Sequence, residues 1–273
     1  MDSHMKKTYS ICVANWNSAN TVRRWASSLL ANLSGDDEVI IVDGQSTDGS
    51  QEYLRQLCKN HGFRFVSEKT NIGQARQLAF RLAEGDYIIA HVDTDDVLVS
   101  LQEAKRLYHE VVERDPMTAE QRAFVCRGFF IIPRWMLEEV GGYPDLHFYE
   151  DQLVAYRLAA RGRLTASWKV SARAAGKDPK KRRLPFRLRY SFCRVRDGLR
   201  LGIFDARNAQ GALLLLPALF ASLPMAHYEF RRDWWNLDVH RDEYVLPWIN
   251  REGLSHKLLL EELERGRSSE ATG

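Results

Sequence analysis

The sequence predicts an α/β fold: a mainly parallel central sheet flanked by helices, followed by a mostly helical C-terminal extension. Short apolar runs rich in β-branched and aromatic residues alternate with segments whose apolar residues recur at helical spacing, the rhythm of βαβ units. The runs are apolar throughout rather than alternating, as expected of strands covered on both faces. Three of them end in a polar or acidic cluster, and open α/β sheets bind ligands beyond the carboxyl ends of their strands.

Residues 9–14, Tyr-Ser-Ile-Cys-Val-Ala, form the first expected strand, followed by the polar loop Asn15-Trp16-Asn17-Ser18. Val22, Trp25, Ala26, Leu29, Leu30 and Leu33 then recur at helical spacing, with Ser18 or Asn20 as the expected cap and Gly35 past the end. Residues 39–42, Val-Ile-Ile-Val, make a second buried strand, and the turn-forming run 43–50 leads to a helix around Leu54 and Leu57. Residues 63–66 give a third strand. A helix opening at Asn71 presents Ala75, Leu78, Ala79 and Leu82 on one face and stops before Gly85. The next strand, residues 87–92, runs into Asp93-Thr94-Asp95-Asp96. Beyond it come a helix near 101–113, a loop at Asp115-Pro116, an apolar run at 123–132, and a helix opened by Pro133 that ends at Gly141-Gly142. A helix at 152–161 follows Glu150 and Asp151, and Gly162 closes it.

With 273 residues the chain has room for one large domain, or one domain with a substantial appendage. A net charge of +3 does not mark a nucleic-acid binder, so nucleic acid is not an expected partner. Cys12, Cys58, Cys126 and Cys193 lie far apart without C-x-x-C spacing, which suits reduced thiols of a cytosolic protein rather than a disulfide frame or a zinc site. The sequence shows no signal peptide and no apolar run of the roughly 20 residues a spanning helix needs. Met1-Asp2-Ser3-His4-Met5 resembles an expression tag, and residues 1–7 are expected to be tag or disordered.

The chemistry-bearing residues are carboxylates. If strand geometry persisted, Asp93 and Asp95 would share a face and Asp96 would point the other way. Like charges this close repel unless a cation lies between them; hard oxygen ligands favour Mg²⁺ or Mn²⁺, and Mg²⁺ commonly completes its shell with substrate phosphates. A solvated acidic turn or a helix cap would use the same residues. Glu150 and Asp151 form a second acidic pair at a helix start, where a carboxylate also serves as N-cap. Neither G-x-x-x-x-G-K-[ST] nor G-x-G-x-x-G occurs, so metal and side chains would have to hold any nucleotide's phosphates.

Taken in order, Val42-Asp43-Gly44-Gln45-Ser46-Thr47-Asp48-Gly49-Ser50, Asn71-Ile72-Gly73 with Ala75-Arg76, Gly85-Asp86-Tyr87-Ile88, Asp93-Thr94-Asp95-Asp96, Gly141-Gly142-Tyr143-Pro144 and the Glu150-Asp151 pair before Arg157-Leu158 resemble a family 2 glycosyltransferase of the Rossmann-like GT-A fold. The resemblance covers roughly residues 8–165. It implies a single-displacement, inverting transfer of one sugar from a nucleotide-sugar donor, UDP- or GDP-linked, to a hydroxyl acceptor. It further implies that Asp93 and Asp95 form the D-x-D motif that meets the ribose and the Mn²⁺ or Mg²⁺ on the diphosphate, with Asp96 sharing that role. Asp43 and Trp16 would line the nucleotide pocket, Arg76 would close it, Asp151 would be the general base and Glu150 would help position it.

The chain departs from the pattern at three places. Gly44 stands where members often carry a second Asp that recognises uracil. The frequent late His has no counterpart in residues 168–177, where Arg173 or Lys177 is a candidate to face the diphosphate. The Q-x-x-R-W motif of processive synthases is absent, which argues for single-sugar transfer. The expected organisation is a nucleotide-sugar-binding half over 8–115, an acceptor-binding half over 116–175, a helical extension over 176–265 and a disordered tail over 266–273. In the extension, ten Lys or Arg fall within residues 177–200, interleaved with apolar residues and followed by the apolar block 212–221. That pattern fits either a helix packed on the catalytic domain or a peripheral contact with an anionic membrane, at its inner face, to reach a lipid-linked acceptor. Three rival readings use parts of the same pattern. One is an aspartyl-phosphate phosphatase loop at residues 93–97. Another is a nucleotidyltransferase, which lacks its Gly-rich phosphate loop here. The third is a non-catalytic, membrane-associated scaffold.

Overall fold

The computed structural model describes residues 8–114, 122–127, 129–159, 161, 163–170, 172–174 and 184–200. In chain order these form β1 (Tyr9–Asn15), α1 (Val22–Asn32), β2 (Asp37–Asp43), α2 (Ser50–His61), β3 (Arg64–Ser67), α3 (Ile72–Leu82), β4 (Tyr87–Asp93), β5 (Asp96–Leu98), α4 (Leu101–Arg114), β6 (Ala123–Arg127), β7 (Phe129–Pro133), α5 (Arg134–Glu139), α6 (Glu150–Ala159), β8 (Leu164–Val170), β9 (Ala172–Ala174) and α7 (Leu184–Arg200). Seven strands make one sheet in the order β3-β2-β1-β4-β7-β6-β8, and β5 pairs with β9 in a small antiparallel ribbon. Within the large sheet β7 runs antiparallel to both β4 and β6, and the other pairings are parallel.

The two faces of the sheet are covered by different helices. Ile11, Val13, Ile41, Ile89 and Val92 pack with Trp25 and Leu29 of α1, Leu54 of α2 and Leu101 of α4. On the opposite face Cys12, Ala14, Ile40, Val42, Ile88 and Ala90 pack with Ala75 and Ala79 of α3, Met136 and Leu137 of α5, and Leu153 and Val154 of α6. This alternation is the period-2 signature of strands buried on both sides.

β4 breaks the alternation once. Ile11 of β1 pairs with Ile89, but Val13 pairs with Val92, so β4 carries one residue more than its partner between these points. His91, with φ +64°, sits in this bulge. Val92 accordingly remains on the α1, α2 and α4 side, which leaves the position of Asp93 in phase with the α3 and α6 side.

The elements differ from the sequence expectation in ways with physical causes. α1 begins at Val22 with Thr21 before it and no side-chain cap; the Ser18 carbonyl takes the Thr21 and Val22 N–H groups, so neither Ser18 nor Asn20 caps by side chain. The apolar run 123–132, for which the sequence assigns no element, forms two antiparallel strands. The helix expected at 152–161 starts at Glu150, which puts both carboxylates inside its first turn. Strand geometry stops at Asp93, and Thr94 and Asp95 form a turn before β5, so Asp93 and Asp95 do not share a pleat. The loop at 115–116, Gly162, residues 175–183 and residues 201–273 lie outside the described residues. Cys12, Cys58 and Cys193 are free and buried. No described helix is long and apolar enough to cross a membrane.

Candidate active site

The carboxyl ends of β1, β2 and β4 meet in a buried polar network. Asn15 Nδ2 donates to Asp43 Oδ1 at 2.6 Å, and Thr94 Oγ1 donates to Asn15 Oδ1 at 2.7 Å. The Ser46 N–H and hydroxyl donate to the two Asp43 oxygens at 2.8 and 2.6 Å. Asp43 is fully buried, and such a carboxylate persists only when its acceptor capacity is met. It organises the loop after β2 that the sequence placed in the nucleotide pocket. Asp48 does the same one turn later, accepting the Ser50 N–H and hydroxyl and, from the first loop, the Ala19 N–H at 3.0 Å.

Trp16 projects from this platform with half its surface exposed (51%), and the Arg189 guanidinium of α7 lies 5.9 Å from its ring centroid. A Cβ at Gly44 would fall 3.3 Å from Trp16 Cδ1 and 3.5 Å from the Asn15 carbonyl oxygen. A side chain at position 44 would thus begin in tight contact with the indole.

Across the cleft, Arg76 joins the two acidic groups. Its Nη1 donates to Glu150 Oε1 at 2.5 Å and its Nη2 to Asp93 Oδ1 at 3.0 Å. A planar guanidinium can answer two carboxylates at once, which a lysine ammonium does less well. Burial works against its charge, but Asp93, Glu150 and Asp151 outweigh that and hold it above its ordinary value. Burial pushes Asp93 up against the pull of Arg76, with Asp95 and Asp151 adding to the push. Glu150 is raised chiefly by burial, opposed by Arg76 and reinforced by Asp151. Asp151 therefore lies within electrostatic reach of Asp93, Arg76 and Glu150, and it is more exposed than Glu150.

The bridge exists because α3 is locked to the segment before α6. Asn71 and Gln74 form a reciprocal capping box, and both also donate to Asp145. Gly73 N–H donates to the Leu146 carbonyl at 3.0 Å, and a Cβ at Gly73 would fall 2.0 Å from the Pro144 oxygen. Gly142, at φ +65°, leaves room for Gln77, whose Oε1 accepts the Tyr143 N–H at 2.6 Å. The Asn-Ile-Gly and Gly-Gly-Tyr-Pro motifs are thus two halves of one contact.

Beneath Arg76, His91 stands edge-on to Phe130 and Tyr143, with centroids 4.1 and 5.4 Å away. Arg76 Nε, His91 Nε2 and the Tyr143 hydroxyl are buried without a hydrogen-bond partner. Burial, then the Arg76 charge, holds His91 well below the usual histidine range, and burial raises Tyr143. Sequence reasoning placed Asn15 and Thr94 in the converging strand-end loops without giving them a role, and it missed His91 and Tyr143 as members of the site. The one available signal was a histidine inside an otherwise apolar strand.

Among the described residues no three His, Cys, Asp or Glu side chains converge on a point that could hold a metal ion by themselves. Asp93 and Asp95 lie within electrostatic reach of each other, and carboxylate oxygens are the donor type a hard divalent cation takes alongside phosphate and water. Asp96 opens β5, paired with Ala174.

Residues 10–134 match the family described as glycosyl transferase family 2. The chain is 32% identical over 91 residues to poly-β-1,6-N-acetyl-D-glucosamine synthase of Staphylococcus epidermidis, an alignment covering 33% of this chain and 22% of that one. It is 29% identical over 153 residues to poly(ribitol-phosphate) β-glucosyltransferase of Bacillus spizizenii, covering 53% of this chain and 23% of that one. The chain thus spans about a quarter or less of these curated relatives. Among solved structures, a mannosyltransferase of Pyrobaculum calidifontis in complex with GDP-Man and Mn²⁺ superposes with TM-score 0.56 at 18% identity, covering 87% of this chain and 80% of that one. S. aureus TarS in complex with UDP-GlcNAc superposes with TM-score 0.52 at 15% identity, covering 84% and 79%. These neighbours share the GT-A fold that the resemblance implied. The stretch similar to glycosyl transferase family 2 thus runs from β1 to the start of α5, just under half of the chain.

Proposed function

We propose that the chain is a metal-dependent, inverting glycosyltransferase that moves a single sugar from a UDP- or GDP-linked donor to a hydroxyl acceptor. The observation that carries this reading is the Arg76 bridge, which ties the acidic end of β4 to the first turn of α6 across one cleft. The donor class is supported by the neighbours in complex with GDP-Man and UDP-GlcNAc.

On this reading Asp151 accepts the proton of the acceptor hydroxyl as its oxygen bonds to the anomeric carbon, on the side opposite the departing nucleoside diphosphate. One displacement inverts that centre. Glu150, held by Arg76, fixes the helix start from which Asp151 reaches the acceptor. Trp16 offers its exposed indole to the base, while Asp43 keeps the loop beneath in shape. A Mn²⁺ or Mg²⁺ bound by Asp93 and Asp95, with Asp96 adjacent, would neutralise charge on the leaving diphosphate.

The test is nucleoside diphosphate release from a panel of UDP-, GDP- and dTDP-sugars. Asp151→Asn is expected to keep donor binding while transfer falls about 10²- to 10⁴-fold. Asp95→Ala is expected to lose Mn²⁺-dependent nucleotide binding. Wild-type transfer rates in Asp151→Asn would remove Asp151 from the mechanism.

A further inference from the structure

The chain enters α6 through Tyr149, whose φ of +67° is left-handed. Bulky residues seldom adopt that conformation, and they keep it only where surrounding contacts over-determine it. Here α7 supplies many of those contacts. Asp197, fully buried, accepts the His147 N–H at 2.7 Å and the Phe148 N–H at 3.2 Å on Oδ2. Its Oδ1 takes Arg196 Nε at 2.7 Å, and the other arm of Arg196 meets His147 Nδ1 at 2.9 Å. Arg194 Nε donates to the Tyr149 hydroxyl at 3.2 Å, and the Tyr190 ring stands edge-on to Phe148 with centroids 4.5 Å apart.

A buried carboxylate is costly unless its oxygens find donors, and these are two main-chain amides and a guanidinium. The amides belong to the two residues before Tyr149, and Glu150 and Asp151 follow it directly. Arg76 of α3 reaches Glu150 itself, so the entry to α6 is held by Arg76 at its first residue and by Asp197 two and three residues earlier.

We infer that α7 is a clamp on the entry to α6 and that Asp197 is a positioning residue for Asp151. It acts through the His147 and Phe148 amides to hold the left-handed turn that aims the base. This rests on the transferase reading of Asp151. It also gives part of the basic extension a role within the catalytic domain, where sequence alone left membrane contact equally open.

The experiment compares Asp197→Ala and Asp197→Asn with wild type in the full chain. It reads hydrogen exchange at the His147 and Phe148 amides together with kcat and donor KM for nucleoside diphosphate release. Asp197→Ala is expected to speed exchange at both amides about tenfold or more. Its kcat should fall about 10- to 100-fold at a donor KM within about twofold of wild type. Asp197→Asn keeps one acceptor oxygen and should recover part of both effects; if Asp197→Ala does not fold, the Asn variant decides by the same readouts. Unchanged amide exchange overturns the clamp, and so does unchanged kcat per folded molecule beside an active wild type. If wild type transfers from no donor, the transferase reading fails by itself, and the exchange data still decide whether Asp197 holds the turn.

Discussion

His91 sits in an environment far from that of a histidine in water. A histidine in water titrates near 6.5, but here burial and the neighbouring Arg76 charge keep the ring neutral to well below that. The unfolded chain therefore takes up a proton that the folded chain refuses. The stability associated with His91 is complete above about pH 6.5 and is lost as pH falls beneath it, with a slope approaching about 1.4 kcal/mol per pH unit. Asn also tolerates the left-handed conformation, so His91→Asn should fold and lose this component of the acid limb. Urea titrations of both chains from pH 7.5 to 5 measure it, and parallel profiles would remove His91 as the source. Little of this could be read from the chain, because a histidine in an apolar run has the same appearance whether it sits in a regular strand or in a bulge. Asp93, Asp95, Glu150 and Asp151 were legible because carboxylates at a strand tip and a helix start are conspicuous. Their partner Arg76 was legible only through the resemblance.

At the scale of elements, α3 places the chemistry. Its amino end is pressed against the 144–146 segment so closely that only a glycine fits at position 73. Gly73→Ala would place a methyl 2.0 Å from the Pro144 oxygen and 2.9 Å from the Leu146 oxygen, both backbone atoms that can yield only by moving the loop. We expect a stability loss of about 1–3 kcal/mol in denaturant unfolding. Transfer should fall along with it, because the displaced loop leads into α6. An alanine variant of wild-type stability would contradict the close contact. The strands and helices up to Asp93 followed their hydrophobic periods, with ends shifted by one or two residues, whereas the short strand β5 gave no such signal. Periodicity is blind in two places: at 123–132 it assigned no element, because the same apolar character continues through a reversal between two strands, and at 150 the acidic residues that look like a cap are already inside the helix.

For the molecule as a whole, the two covered faces of the sheet have unequal duties. The face packed by α1, α2 and α4 is core, closed by the buried Lys105–Asp37 ion pair, whereas the face under α3, α5 and α6 carries Arg76, His91 and Tyr143 into the site. A nucleotide bound at the carboxyl edge should tie β1, β2 and β4 together, so UDP or GDP should raise the unfolding temperature. On the metal-dependent reading it should do so only with Mn²⁺ or Mg²⁺ present; ligand at about 100 times its Kd is worth about 2.7 kcal/mol. Equal shifts with and without metal would argue against a cation between protein and diphosphate. This breadth of arrangement was visible early, since βαβ order and strand-end clusters are carried by many residues together. The packing of α7 was not, because a basic amphipathic helix has the same spacing whether its partner is protein or lipid.

The bulge in β4 has an arithmetic meaning for the whole cleft. A strand presents its side chains in an odd-and-even count, and the one supernumerary residue between Ile89 and Val92 resets that count for everything after it. Counted without it, Asp93 would belong to the side of Trp25 and Leu101, on the far side of the sheet from Arg76 and Glu150. An irregularity one residue long thus decides on which side of the sheet the acid emerges.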